Sequence, residues 1–148
     1  MAGVRWAAVT AEVATGTAVK TIIQVLAAAQ QRMLIKEWSV SFEGVSNTGT
    51  PIEVDVLRQS TAGTMTALTP VKINADDGET LQVTAQHTAT AEPTAGDVLF
   101  REKVHPQTGY TWQAPFGGEI PINGGDRLGI RVTADASIGC VCRFLGEE

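Results

Sequence analysis

Apolar and polar side chains alternate one for one in segment after segment of this chain. Leu128, Ile130, Val132 and Ala134 are interleaved with Arg127, Gly129, Arg131 and Thr133, and Trp38, Val40 and Phe42 with Glu37, Ser39 and Ser41. Ile52, Val54 and Val56 repeat the alternation, as do Leu81, Val83 and Ala85 against Gln82, Thr84 and Gln86. Successive side chains of a strand point to opposite faces, so each segment has one face for water and one for a core.

The rest of the chain supplies connections and shorter strands. Val4–Val9 reads as a first strand or docking arm, with residues 1–16 as an N-terminal arm or edge strand, and Thr15-Gly16-Thr17 is a break. Thr17–Lys36 has two readings. Ala27–Arg32 (AAAQQR) favours one amphipathic helix, whereas the β-branched Thr21-Ile22-Ile23 and the length favour strand, turn, strand, which is the reading preferred. Leu34–Glu43 is a strand and Gly44–Thr50 a polar loop. Met65–Ile73 carries Pro70, which has no N–H for a ladder, so this segment is an edge or a broken strand. Asn74–Gly78 is a turn, and a polar loop runs through Glu92–Gly96. Val98–Val104 and Tyr110–Gln113 are short strands around His105–Gly109, and Pro115–Gly118 turns the chain. Asn123-Gly124-Gly125-Asp126 reads as a tight hairpin turn, because Asn and Gly tolerate positive φ. Arg127–Ala134 and Ile138–Leu145 complete the set. The expectation is an all-β, single domain over residues 1–148 with about eight to ten short antiparallel strands, a sandwich or a barrel.

Composition narrows the function classes. At 148 residues the length suits one domain. Only 18 % of residues are charged, and Ala, Thr and Gly are plentiful. That surface suits packing against other proteins, and equally a small soluble domain. The net charge of −5 comes without a Lys/Arg cluster, which argues against nucleic acid as a partner. No apolar run approaches the roughly 20 residues of a bilayer-spanning helix, so no membrane partner is expected. Met1–Trp6 lacks the charged start and long apolar stretch of a signal peptide, pointing to folding in a cytosol.

Candidate chemistry is sparse. Cys140 and Cys142 share a strand face, but an extended backbone holds them too far apart and badly aimed for an easy disulfide. Two thiols fall short of a zinc site, and neither His87 nor His105 sits at a ligand spacing to complete one. Buried free thiols in phase with Ile138 and Phe144 are expected. His87 follows the inward parity of Ala85, and His105 precedes Pro106 in a loop, so neither reads as a catalytic base. Asp76, Asp77 and Glu79 around Gly78 could hold Ca²⁺ but lack EF-hand spacing, so a solvated turn is expected. Tyr110 and Trp112 share a parity beside a Pro-Phe-Gly-Gly turn. They read as core or interface anchors in preference to a sugar-stacking platform. Trp6, Tyr110, Trp112 and Phe116 form the candidate interface set. No catalytic residue, cofactor or metal is expected.

Several stretches together resemble small jelly-roll proteins of tailed bacteriophages: Lys20–Leu26, Gln31-Arg32, Glu37–Phe42, Leu57–Thr64, Ala67–Pro70, Thr90–Thr94 and Gly124–Ala134. The likeness is one of strand and turn residues, from about Val19 to the end, and it implies a jelly-roll-like β-sandwich. It implies a virion structural protein, a capsid decoration (auxiliary or cement) protein. Such a protein would coat the capsid exterior, bind the major capsid protein as a homo-oligomer, a trimer favoured, and assemble in the host cytoplasm. The competing expectation is a head-fibre, tail or receptor-binding sandwich, with loops such as Gly44–Thr50 meeting a cell-surface glycan. A small enzyme or cupin-like metal protein would need His87, His105 and a carboxylate to converge.

Overall fold

The computed structural model describes residues 3–43 and 50–148; all of the Gly44–Thr50 loop except Thr50 lies outside the described residues. Among the described residues there are thirteen strands: β1 (Arg5–Val9), β2 (Val13–Ala14), β3 (Lys20–Leu26), β4 (Met33–Phe42), β5 (Ile52–Gln59), β6 (Thr64–Leu68) and β7 (Val71–Lys72). They continue with β8 (Thr84–Ala91), β9 (Ala95–Val104), β10 (Tyr110–Gln113), β11 (Ile120–Ile122), β12 (Arg127–Thr133) and β13 (Gly139–Glu147). Thr17–Lys36 is strand, turn, strand, not a helix.

The strands form two antiparallel sheets. The first runs β10-β4-β13-β1-β7, with β11 also on β4 and β2 on β13; the second runs β6-β8-β3-β12-β5-β9. Eight of these strands pair in nested order: β1 with β13, β3 with β12, β4 with β10 and β5 with β9. A long antiparallel ribbon pairs this way. Rolling the ribbon brings β13 against β4 and β12 against β5. The result is a jelly roll. Strands β6, β7 and β8, inserted between β5 and β9, extend both sheets beyond β1 and β3. The count exceeds the expected eight to ten because β2, β7 and β11, two or three residues each, are too short to carry a period-two signal.

Pro70 explains how that insertion changes sheet. β6 lies at the edge of the second sheet and β7 at the edge of the first, with Pro70 between them. The Asn123–Asp126 turn behaves similarly. Gly125 has φ +84° and the Asp126 N–H donates to the Asn123 carbonyl at 3.0 Å. Its flanking strands β11 and β12 lie in opposite sheets, so it is a turn between layers and not a hairpin.

The inner faces meet in one core. Trp6, Ile35, Trp38, Cys142 and Phe144 come from the first sheet, and Ile23, Val25, Val54, Val56, Leu128 and Ile130 from the second. Two bulges adjust the alternation. In β4 the register against β13 shifts beyond Glu37, so Met33 and Ile35 face inward with one parity and Trp38 and Val40 with the other. In β3 a shift opposite Ile130/Arg131 leaves Ile22 unopposed, and both Ile22 and Ile23 enter the core.

The outer face of the second sheet is polar yet closed. The Gln24 amide donates to Gln59 Oε1 at 2.8 Å and to the Thr61 carbonyl at 3.0 Å. The Gln86 amide donates to Gln24 Oε1 and to the Ala62 carbonyl. Gln59 donates to Thr21 Oγ1, whose hydroxyl donates to Glu92 at 2.7 Å. The 60–63 connection therefore crosses this face and is tied down to it. Gly129 lies directly beneath the Gln59 side chain, and a Cβ there would overlap it.

Candidate interaction surfaces

The four candidate interface residues separate into three environments. Trp6 is fully buried on β1, and its ring lies so close to Gly146 that a Cβ there would collide with it. The reading of Trp6 as a docking anchor is thereby corrected. β1 is hydrogen-bonded to β13 along its whole length and to β7 at Trp6 and Ala7, so it is an integral strand and not an arm. A period-two segment next to the N-terminus gives no sign of which strands flank it.

Tyr110 and Trp112 are half-buried on β10. Tyr110 stacks on Trp38 at 5.2 Å between centroids, and Trp112 meets Phe100 at 4.9 Å with a 53° tilt. Trp38 and Phe100 are 5.7 Å apart. The four rings close the side of the sandwich where β9 and β10, the edge strands of the two sheets, face each other. Offset and tilted pairs of this kind contribute about 0.5–1.5 kcal/mol each beyond area burial.

Phe116 is fully exposed at the tip of the Pro115–Gly118 turn. The turn is closed by the Gly118 N–H donating to the Pro115 carbonyl at 2.8 Å, with Gly117 at φ +81°. Gly96 shares a cleft with Pro121 and Ile122, while Phe100 touches Trp112. Val98 and Leu99 lie on β9 at the edge of the second sheet, where the register against β5 shifts between Val56 and Leu57. Val98 and Leu99 are also exposed.

A second apolar surface lies at the opposite edge of the first sheet. Ala7 sits between Val71 on β7 and Leu145 on β13. Val9 is two residues further along the same face, and the Ile73 N–H donates to the Arg5 carbonyl. Val9, Val71 and Ile73 are exposed, and Leu145 is partly so. Each strand supplies only one or two of these residues, so no single segment of sequence reveals the patch.

The remaining candidates stay apart. His87 lies on β8 and His105 just beyond β9, four strand spacings or about 19 Å across the second sheet. The His87 Nδ1 pairs with Thr88 Oγ1 at 2.8 Å, and His105 Nδ1 accepts the Gln107 N–H. Cys140 and Cys142 are buried and unbonded on the inner face of β13, with sulfurs 3.7 Å apart, closer than the extended backbone suggested. Burial pushes the Cys142 thiol well above its ordinary range, and the adjacent Cys140 sulfur adds to this. The acidic cluster is an exposed turn: Asn74 accepts the Asp76 and Asp77 N–H groups, and Lys72 Nζ donates to the Asp77 carbonyl at 2.6 Å.

One charged cluster was not foreseen. Asp55, almost fully buried on the outer face of β5, accepts from Arg101 at 2.8 Å and from Arg131 at 3.0 Å. Burial alone would raise this carboxyl. The hydrogen bonds and charges of the two arginines outweigh that, and its net shift is below the usual carboxylate range. Register across β9, β5 and β12 brings the three together, since Asp55 is opposite both Arg101 and Arg131.

Fold and surface define a class: a single-domain jelly-roll β-sandwich with exposed apolar side chains at two opposite edges. Compared with known protein families, curated proteins and solved structures, the chain matches none.

Proposed function

We propose that this chain is a virion structural protein that decorates and stabilises the exterior of a tailed-phage head by binding the lattice of major capsid protein. The observation that carries the reading is the pair of apolar surfaces, Phe116 with Val98 and Leu99 at one edge and Val9, Val71 and Ile73 at the other. Contiguous exposed apolar side chains mark contact with other proteins, and aromatic residues dominate the energetics of such contacts. A subunit of a surface lattice needs one surface for the shell and one for its own neighbours. The two patches lie at opposite edges, so one is free for the shell while the other meets a neighbouring copy. A homotrimer is the assembly favoured. The likeness of the strand and turn sequences to phage jelly rolls supports the same reading. The role is binding, without catalysis, on the capsid exterior after folding in the host cytoplasm.

The mechanism is mass action. A partner that binds only the assembled lattice stabilises it by its own binding free energy. Purified protein added to heads that lack it is expected to co-sediment with them and to raise the temperature at which the shell melts. Phe116→Ser is expected to weaken this binding at least about tenfold, or about 1.4 kcal/mol, with no loss of the domain's own melting temperature. Association with tails in place of heads would overturn the proposal in favour of the receptor-binding reading.

A further inference from the structure

A cleft of about 250 Å³ opens where the end of β5, the start of β9 and the Asn123–Asp126 turn come together. Arg58 and Arg127 both line it, with Gln59, Ser60, Asn123 and Asp126 as the other polar residues. Arg127 is the unusual member. Among the described residues three arginines are half-buried, Arg127, Arg131 and Arg143. Arg131 is held by Asp55 and Arg143 by Glu37. Arg127 has no acceptor, and its Nε is buried with no hydrogen-bond partner. A guanidinium drawn partly out of water without an acceptor is costly.

The neighbours are equally uncommitted. Arg58 makes only a long contact of 3.9 Å to the exposed Asp97. Asp126 lines the same cleft and forms no ion pair with either arginine. Gln59, by contrast, is fully engaged with Gln24 and Thr21 and serves as a wall.

The chemistry of this lining specifies an occupant. Two guanidinium groups present forks that match a carboxylate. The Asp126 carboxylate on the same cleft disfavours a doubly charged phosphate and offers an acceptor for a hydroxyl. Ser60 and Asn123 supply further donors and acceptors. Pro121, exposed beside the core residue Ile122, gives an apolar wall against which the C–H face of a sugar ring can pack. We propose that this cleft binds an acidic monosaccharide unit, with its carboxylate on Arg127 and Arg58 and its hydroxyls on Asp126, Asn123 and Ser60. Such a site adds a carbohydrate-binding activity to the chain and does not depend on the capsid reading, because neither apolar surface takes part.

The test is a titration of the full chain, followed by backbone amide NMR, with N-acetylneuraminic acid and glucuronic acid. N-acetylmannosamine and glucose are the neutral counterparts, and a capped tetraglutamate peptide is the non-sugar carboxylate. Saturable shifts at Ser60, Gly96, Asn123 and Arg127 are expected with at least one acidic sugar. The neutral sugars and the peptide are expected to bind at least about tenfold more weakly. Arg127→Met is expected to lose binding at least about tenfold while keeping or raising the melting temperature, since it removes an unpaired charge. If that variant fails to fold, Arg58→Met at an exposed position gives the same readout. No saturable shift up to about 50 mM, a response to neutral sugar or peptide equal to that of acidic sugar, or unaltered binding in the folded variant would each overturn the proposal.

Discussion

Two arginines converge on the carboxylate of Asp55, and its acid form cannot accept from both. Asp55→Asn is expected to destabilise the domain by about 1–2 kcal/mol at neutral pH, a modest figure because Arg101 is half exposed and screened. The folded-state carboxyl titrates below its unfolded value of 3.8, so the unfolded chain binds more protons. The contribution is therefore complete above that pH and fades as acid titrates the folded carboxyl. Melting curves of parent and variant are expected to differ at pH 7 and to converge under strong acid; a constant gap across that range would exclude the linkage. Thr88 makes the opposite case. It holds φ at +58° inside β8, where a β-branched residue is strained. Thr88→Gly is expected to raise stability by about 0.5–1 kcal/mol in a denaturant titration, and a loss would show that its hydroxyl contact to His87 matters more. The Asp55 cluster could not be read from the chain, because Asp55, Arg101 and Arg131 meet only through the register of three strands.

Strands were legible where one face is apolar and the other polar. β12 and β5 carry that alternation, and the structure buries Leu128, Ile130, Val132, Ile52, Val54 and Val56 as a set. Pro70 located a break without revealing that the chain changes sheet there. β2 and β11 are two and three residues long, too short for any period to register. On β3 the polar Thr21 and Gln24 are buried, Gln24 beneath the 60–63 connection and Thr21 beneath Gln59 and Glu92, a tertiary fact. The N-terminal segment shows the same limit, since five residues can form an edge, an arm or an interior strand. Its placement between β13 and β7 sets the expectation at this scale. Trp6→Ala should cost about 3–5 kcal/mol, and removal of residues 1–9 should abolish the cooperative fold. A shortened chain that keeps its melting transition and loses only association would restore the docking arm.

As a whole molecule, the jelly roll encloses one core and directs apolar side chains outward at two opposite edges. Alternating strands and their turns pointed to a sandwich or barrel, and the nested pairing of β1 with β13 through β5 with β9 makes it a jelly-roll sandwich. Of the interface set, Phe116 alone is fully available to a partner, while Trp6 serves the core and Tyr110 and Trp112 seal one side of it. The Val9, Val71 and Ile73 patch emerges only when β1 and β7 are paired. Electron cryomicroscopy of the phage particle that carries this chain tests the central claim most directly. Density for the sandwich is expected on the outer surface of the head, with the Phe116 edge or the Val71 edge against a capsid subunit. Density confined to the tail, or a head surface on which both edges face solvent, would contradict it.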